Sequence, residues 1–581
     1  MQSVGSPPLI ANSPRTPHAG NRETHDWGPE SLSRQTTQVT ARLGSLLDGA
    51  ELDSYEVWEA RRAWRALINK LSELTRASER LRQSFAGVRE ADRQRLVPEL
   101  RKFATELDDR FAEIGRMLEG RPPECEPTSV PLNFEDKGMA SLSPFHQGAL
   151  LLYRSHLEEI DKLTRDLFET LADIRNFARA RGDPTYEAVP LLPSVLDPER
   201  LAGVARSFTG VWLGWLAVLY VPDFPNTVEF IVLTNAVSMA LCLTPQVPIS
   251  RMFLPVALGV ALGGAIYVLV MPYLASFASL GVVIFTTVFL LCYLFHRPTQ
   301  AAGKTTALAM LLLVMGIANE QSYNFLSVAN LAMVVALVFA VLAVATHFPI
   351  SFRAEHVFLR LLSRFFRACA DLASTLQWDP VNPPTRWLHF RRVLHLGHLA
   401  RVPSKLAIWG TALPAAALGQ STTEQVQALV ESLQALAYRM QDLVETRATP
   451  QSQALVRELL SQVRAWRVGL QDIFCNLSRH PEAANFTEFR SRLNALLERF
   501  EGQVGKTVAS ADQTSVSARE NENSIRLLAA FRGLSEELVN FARQSGGIDW
   551  ARLRADLAAP TIGTLIPSSR TRRSSDGKIC L

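Results

Sequence analysis

Strand signals are missing from this sequence. No run alternates apolar and polar residues over the length of a strand, and no strong hairpin turn separates two such runs. A sheet-based fold is therefore excluded, and the chain reads as all-α. Cysteine is also sparse: Cys125, Cys242, Cys292, Cys369, Cys475 and Cys580 stand apart, none in a CxxC pair. That pattern fits reduced structural thiols and argues against a disulfide framework or a metal site. Cys580 lies too close to the C-terminus to be a prenylation box. The first twenty residues lack a basic stretch followed by an apolar core, so no cleavable signal is apparent and targeting is expected from the first internal span.

Excess charge is lacking as well. Sixty Lys and Arg against 56 Asp and Glu leave a net +4 over 581 residues, which gives no reason to invoke nucleic acid as a partner. Charged residues make up 20% of the chain and the mean hydropathy is +0.07. Such an average is too apolar for a soluble protein of several domains and too polar for one wholly within lipid. It conceals a division: residues 203–349 hold nearly all the long apolar runs, and the flanks are rich in Arg, Glu, Gln and Leu.

Read along the chain, residues 1–38 are a Ser-, Pro- and Thr-rich segment expected to be disordered. Residues 39–182 are expected to form a helical domain, with helices near 54–81 and 91–118. A coiled-coil-like seam then runs through Leu150, Tyr153, Leu157, Ile160, Thr164, Leu167, Leu171 and Ile174, apolar except for Thr164. A Pro-rich linker, 183–202, leads to six candidate spans: Gly203–Val221, Phe224–Leu243, Met252–Met271, Ala275–Phe295, Thr305–Ala318 and Leu326–Phe348. Each crossing of the hydrocarbon takes about 20 apolar residues. Five spans meet that comfortably; the fifth is short, and is expected to be partly re-entrant or shielded by its neighbours. A second helical domain covers 350–555 and a disordered tail 556–581. Within that domain a basic amphipathic helix, Val357–Leu376, either packs on the bundle or lies at the membrane surface. A further stripe runs through Val426, Leu429, Leu433, Leu436, Met440 and Leu443, and more helices are expected at 450–478, 484–504 and 519–544.

The loops orient the spans. Loops 222–223, 272–274 and 319–325 contain no Lys or Arg, and the alternate ones carry Arg251, Arg297 and Lys304, with Arg353, Arg360, Arg364 and Arg367 after the last span. Basic loops face the cytoplasm, so both termini and both helical domains are placed there, in a multi-pass protein of the cell inner membrane with membrane lipid as its surroundings.

Candidate chemistry is thin outside the spans. The segment Ala301–Leu308 (AAGKTTAL) imitates the end of a phosphate-binding loop, but Pro298 stands where that loop needs a small residue, and an apolar span replaces the preceding strand. His389, His395 and His398 have no Cys, Asp or Glu beside them in sequence to complete a metal shell. The sequons at Asn476 and Asn485 fall on the cytoplasmic side and are chance matches. No cofactor and no metal are expected, and no nucleophile–base pair suggests an enzyme.

Polar residues at membrane depth carry more weight, because a charge near the bilayer centre costs a few kcal/mol and usually faces protein or water. Arg206, Glu229, Asn235, Glu320 and Asn330 are the candidates for a substrate or proton pathway, with His347 at the end of the last span. Snorkelling to the headgroups is an equal reading for Arg206, Glu320 and His347. An ion pair between Arg206 and Glu229 is one expectation. Arg251, Arg297 and Lys304 are candidates for gathering anions at the cytoplasmic mouth. Gly259, Gly263 and the adjacent Gly264 form a GxxxG face for close helix packing, expected to join copies of the chain together with the cytoplasmic seams.

The segment PLLPSVLDPER, the early Arg206, the stretch RMFLPVALGVALGG from Arg251, and six spans closing into a basic helix together resemble the fusaric acid resistance family of aromatic acid exporters. That resemblance covers about residues 40–550, mostly by architecture. It implies a proton-driven efflux subunit exporting aromatic carboxylic acids or related toxic organic anions, working with a periplasmic adaptor protein. Members commonly carry two six-span blocks; this chain has one, so a homo-oligomer, a companion six-span subunit or an upstream half is expected. An anion channel-like conduit and a non-transporting membrane scaffold are the alternatives.

Overall fold

The computed structural model describes residues 53–85 with scattered helical residues from 43, then 99–132, 142–175, 198–224, 226–243, 249–274, 276–296, 301–317, 323–347, 353–376, 386–449, 453–482, parts of 490–498, and 518–555. Among them every regular element is helical, so the protein is an all-α polytopic membrane protein. Helices α1 (Arg61–Phe85), α2 (Leu100–Leu118) and α3 (Pro144–Ile174) precede six apolar helices: α4 (Pro198–Tyr220), α5 (Thr227–Leu243), α6 (Ile249–Ala265), α7 (Phe277–Leu294), α8 (Ala301–Met315) and α9 (Phe325–His347). Five long helices follow: α10 (Ala354–Thr375), α11 (Arg386–Thr411), α12 (Thr423–Ala448), α13 (Gln453–Arg479) and α14 (Ala518–Ser545). The helix expected at 484–504 lies largely outside the described residues.

The chain divides into two compact units. The first contains α1, α2 and α3 from Tyr153 onward. The α3 seam turns inward there: Ile160, Leu163 and Leu167 meet Leu74 and Ala77 of α1, while Tyr153 and Leu157 meet Phe103 of α2. It is the inner face of a packed three-helix unit within one chain, not an exposed coiled-coil face, which corrects its expected use in assembly. The lone polar residue on it has a partner. Thr164 receives a hydrogen bond from Arg110 Nη1 at 2.7 Å, and the same guanidinium meets Asp161 Oδ1 at 3.1 Å and donates to the Thr128 carbonyl at 2.9 Å. Arg110 is 2% exposed, and those partners offset its burial.

The second unit holds the start of α3 and everything from α4 onward. Helices α10 to α14 share one core, in which Phe366 packs against Phe365 and Phe541, and Trp466 against Phe531. Val357, Phe358, Leu361, Leu362 and Phe365 of α10 are all buried, so the basic amphipathic helix packs on the bundle. The 426–443 stripe lies in the same core and is likewise used within the chain. Thr422 and Gln425 start α12 with a reciprocal capping box, one hydroxyl and one amide satisfying two free backbone donors.

Four of the apolar helices are long enough to cross a bilayer, α6 because the π-helical Ile266–Val270 and the 3-10 turn Met271–Tyr273 continue it, and two are shorter. Helix α5 spans 17 residues, roughly 26 Å, and α8 15 residues, roughly 23 Å. The second span is thus shorter than the sequence suggested. Its start is fixed by the turn VPDFPNT, where Asp223 and Asn226 adopt positive φ, a conformation that short polar side chains tolerate. Helix α8 ends where Gly316 takes φ +45° and donates to the Leu312 carbonyl.

Three glycine-made contacts organise the membrane helices. Gly303 faces Pro255, Gly259 faces Ala307 and Gly263 faces Leu311, so α6 and α8 run parallel in constant register. Parallel neighbours require α7 between them to cross back, so α8 is a crossing and not a re-entrant hairpin; Ala307, Leu311 and Met315 are shielded by packing. Helices α4 and α5 run antiparallel, with Gly210 against Ser238 and Gly214 against Thr234. Gly264 abuts Val328 of α9. The GxxxG face is therefore covered within the chain, which corrects the expectation that it joins copies. Ala202, at the N-terminal end of α4, packs against the α10–α14 core, which α10 begins just after α9, so both ends of the six-helix block lie on one side.

A Cβ on Gly259 would lie 2.4 Å from the Ala307 carbonyl oxygen, whereas one on Gly281 of α7 meets nothing within 4 Å. Gly259→Ala is therefore expected to destabilise the purified protein by about 1–3 kcal/mol in thermal unfolding. Gly281→Ala should stay within roughly 0.5 kcal/mol of the parent. A selective loss of oligomers at unchanged unfolding temperature for Gly259→Ala would contradict the intrachain assignment.

Candidate functional site

Helix α4 begins after the Pro-rich segment and carries one cation into the apolar block, Arg206. This side chain is 4% exposed, packed inside the protein beside Cys242 near the C-terminal end of α5. Gly203, one turn earlier, also faces Cys242, with 3.7 Å from its Cβ position to the thiol sulfur. Arg206 is thus walled by protein and is not displayed to the headgroups.

From there the α4–α5 seam rises through two hydroxyls. Ser238 lies against Gly210 and Thr234 against Gly214, each placed four residues from the next on both helices. Helical spacing of four keeps successive residues on one face, so Thr234, Ser238 and Cys242 form a single line. Thr234 is 1% and Ser238 2% exposed, and neither hydroxyl has a hydrogen-bond partner among the described residues. Other hydroxyls in the membrane helices behave differently: Thr209, Thr286 and Thr287 each donate to the carbonyl four residues earlier, at 2.8 Å. Thr234 and Ser238 instead leave donors in the seam, where an unmet polar group costs on the order of 1–3 kcal/mol. The seam is shut: a Cβ at Gly210 would already be 2.6 Å from Ser238 Oγ and 3.2 Å from Leu342 of α9. Chemically, it offers a buried cation at one end and two unmet donors above it, a set that favours an anionic, hydrogen-bond-accepting group.

The other sequence candidates do not join this line. Glu229 is exposed in the first turn of α5, where a carboxylate suits the positive end of the helix dipole. Thirteen residues (229 to 242) separate it from Cys242, roughly 20 Å of helix. The antiparallel register therefore rules out the expected Arg206–Glu229 ion pair. Asn235 is half-buried beside the line, Asn330 is exposed on α9, and Lys304 is half-buried in the first turn of α8. Glu320 and Arg297 lie outside the described residues, as do the side chains of Arg251 and His347. Thr234, Gly210, Gly214 and Cys242 were missed as site residues; the spacing of four in GVWLG and in Thr234, Ser238, Cys242 is the signal that finds them.

In the α10–α14 bundle, His395 lies 3.7 Å from Asp371, with Arg391 at 3.8 Å from the same carboxylate. Burial pushes the His395 imidazole below its ordinary value, and Asp371 partly offsets that.

Because their hydroxyls are unpartnered, Thr234→Val and Ser238→Ala are expected to leave the unfolding temperature unchanged or raise it slightly. A clear drop on removing either hydroxyl would show it to be satisfied in the resting protein.

The sequence matches the fusaric acid resistance protein family over residues 21–401, more than half of the chain. No curated protein matches it.

Proposed function

The chain belongs to the fusaric acid resistance protein family, a family of membrane transport and efflux proteins, and from that premise we propose that it exports small organic carboxylates through the α4–α5 seam. The favoured substrates are aromatic carboxylic acids or related toxic organic anions. The observation that carries this reading is the line of Arg206, Ser238 and Thr234, a buried cation followed by two donors that no described residue bonds. Arg206 attracts the carboxylate at the inner end, and the hydroxyls take over its oxygens as α4 and α5 part. Binding that uses donors left unmet in the closed state costs the protein no existing hydrogen bond.

The same reading places the protein in the inner membrane, with its helical domains and both termini in the cytoplasm. Support comes from the basic residues of alternate loops, which all fall on one side of the spans, and from the shared side of the α4 start and the α9 end. The proton gradient drives export in this proposal. A single six-span block is proposed to assemble with a second copy or a companion subunit and to hand its substrate to a periplasmic adaptor protein. The exposed Phe285, Phe289 and Tyr293 ladder of α7 supplies an apolar face for lipid or for such a neighbour.

The test is efflux of labelled benzoate from preloaded cells expressing the protein. Arg206→Gln is expected to slow export at least about tenfold, the effect of losing one charge-assisted contact worth roughly 1.5–3 kcal/mol, at an unchanged amount of protein in the membrane. Thr234→Val and Ser238→Ala should slow it a few-fold, and a protonophore should stop it. Export at the parental rate by Arg206→Gln would overturn the seam as the route. Flux that persists without a proton gradient and follows voltage would identify a channel-like conduit instead.

A further inference from the structure

The α10–α14 bundle contains a cleft of about 390 Å³ that the transport reading does not use. One wall is a stripe of α10, with His356, Leu359, Arg360 and Ser363 at the spacing of a single helix face. The opposite wall is the last turn of α13, through Leu477 and Arg479, and the rim is closed by Arg554 from the short helix Trp550–Ala555. No carboxylate is among the described residues that line it. Glu482 lies just outside, where it accepts a hydrogen bond from Arg554 Nη1 at 2.7 Å and sits 3.3 Å from His480 Nδ1. Arg554 Nη2 also donates to the Arg479 carbonyl at 3.0 Å. These two bonds hold the Arg554 guanidinium at the rim and cap the C-terminal end of α13 with positive charge.

We propose that this cleft binds a small amphipathic organic anion, a carboxylate carried on an apolar body. Arg360, Arg479, Arg554 and His356 are all among its lining residues, and guanidinium pairs carboxylate with two parallel hydrogen bonds. Leu359, Leu477 and Pro481 supply the apolar surface that an inorganic anion would not use. The volume falls within the range of small-molecule sites and exceeds what a lone phosphate fills. The positive end of the α10 dipole lies at the same place, since His356 stands in its first turn. Only the seven steps from His347 to Ala354 join α9 to α10, at most about 25 Å of extended chain, so the site lies close in sequence to where the membrane block ends. It is separate from the α4–α5 seam, and its assignment does not depend on how the seam transports.

The experiment is binding of labelled benzoate to the purified full-length protein in detergent, by scintillation proximity at fixed ionic strength. The expected result is saturable binding that the pair Arg360→Gln with Arg479→Gln weakens at least tenfold, and that Arg360→Lys with Arg479→Lys weakens less. Ser363→Asp, which adds a carboxylate to the half-buried wall and leaves the arginines intact, should weaken it in the same direction and keeps the proposal testable if the Gln pair does not fold. Unlabelled acetate and inorganic phosphate should displace benzoate less well than benzoate itself. The Gln pair should weaken benzoate binding by the same factor in an Arg206→Gln background, where the seam has lost its cation, which separates the cleft from the seam. Absence of saturable binding, an unchanged affinity in the Gln pair and in Ser363→Asp, or displacement by phosphate as effective as by benzoate would each overturn the proposal.

Discussion

Close backbone approach between helices is the constraint on which the membrane block depends. In lipid the apolar side chains of two helices gain little by leaving hydrocarbon for each other, so association rests on packing at short range. Glycine alone permits the distances seen here, with the Cβ position of Gly259 at 2.4 Å from a neighbouring carbonyl and that of Gly214 at 2.9 Å from Thr234. Those contacts set the registers. The parallel α6–α8 pair makes the short α8 a crossing, and the antiparallel α4–α5 pair decides which polar residues meet. Arg206 comes to Cys242 and not to Glu229 for that reason alone.

The protein treats buried polar groups in two opposite ways. In the first unit Arg110 and Thr164 are both buried and both bonded, within a set that includes Asp161 and the Thr128 carbonyl. Such a network favours one arrangement of helices and stiffens it, although Arg110 Nε within it has no partner among the described residues. In the α4–α5 seam Thr234 and Ser238 are as deeply buried and are left unbonded. A hydroxyl in a helix within lipid ordinarily turns back to the carbonyl four residues earlier, as Thr209 does to Ala205 close to Arg206. Leaving two donors unmet in a shut seam lowers the cost of opening it to a group that can accept from them.

Much of the architecture was legible. Six apolar runs, a basic helix after them and the α3 stripe follow from hydropathy and periodicity, and the stripes at 150–174 and 426–443 turn out to be core. Their partners were not legible, because a stripe states that a face is buried without saying against what. The membrane site was harder still. Helix α5 is apolar on nearly all sides, so Thr234 and Ser238 do not stand out as a polar face. They matter because Gly210 and Gly214 oppose them, and opposition is a property of register, absent from either segment alone. Glu229 drew attention as a lone carboxylate in an apolar run. The turn at Asp223 and Asn226 places it only two residues past the start of α5, at an exposed helix end.

The α4–α5 register is the central claim, and a thiol crosslink measures it. Gly203→Cys would put a new side chain 3.7 Å, measured from its Cβ position, from the sulfur of the native Cys242. In a full-length chain with the other cysteines replaced by serine and a protease site in the 222–226 turn, mild oxidation should join these two thiols. The two halves would then remain linked after cleavage until a reductant is added. Halves that separate without reductant, although both thiols are present and the protein is folded, would contradict the register and with it the site built on Arg206, Ser238 and Thr234.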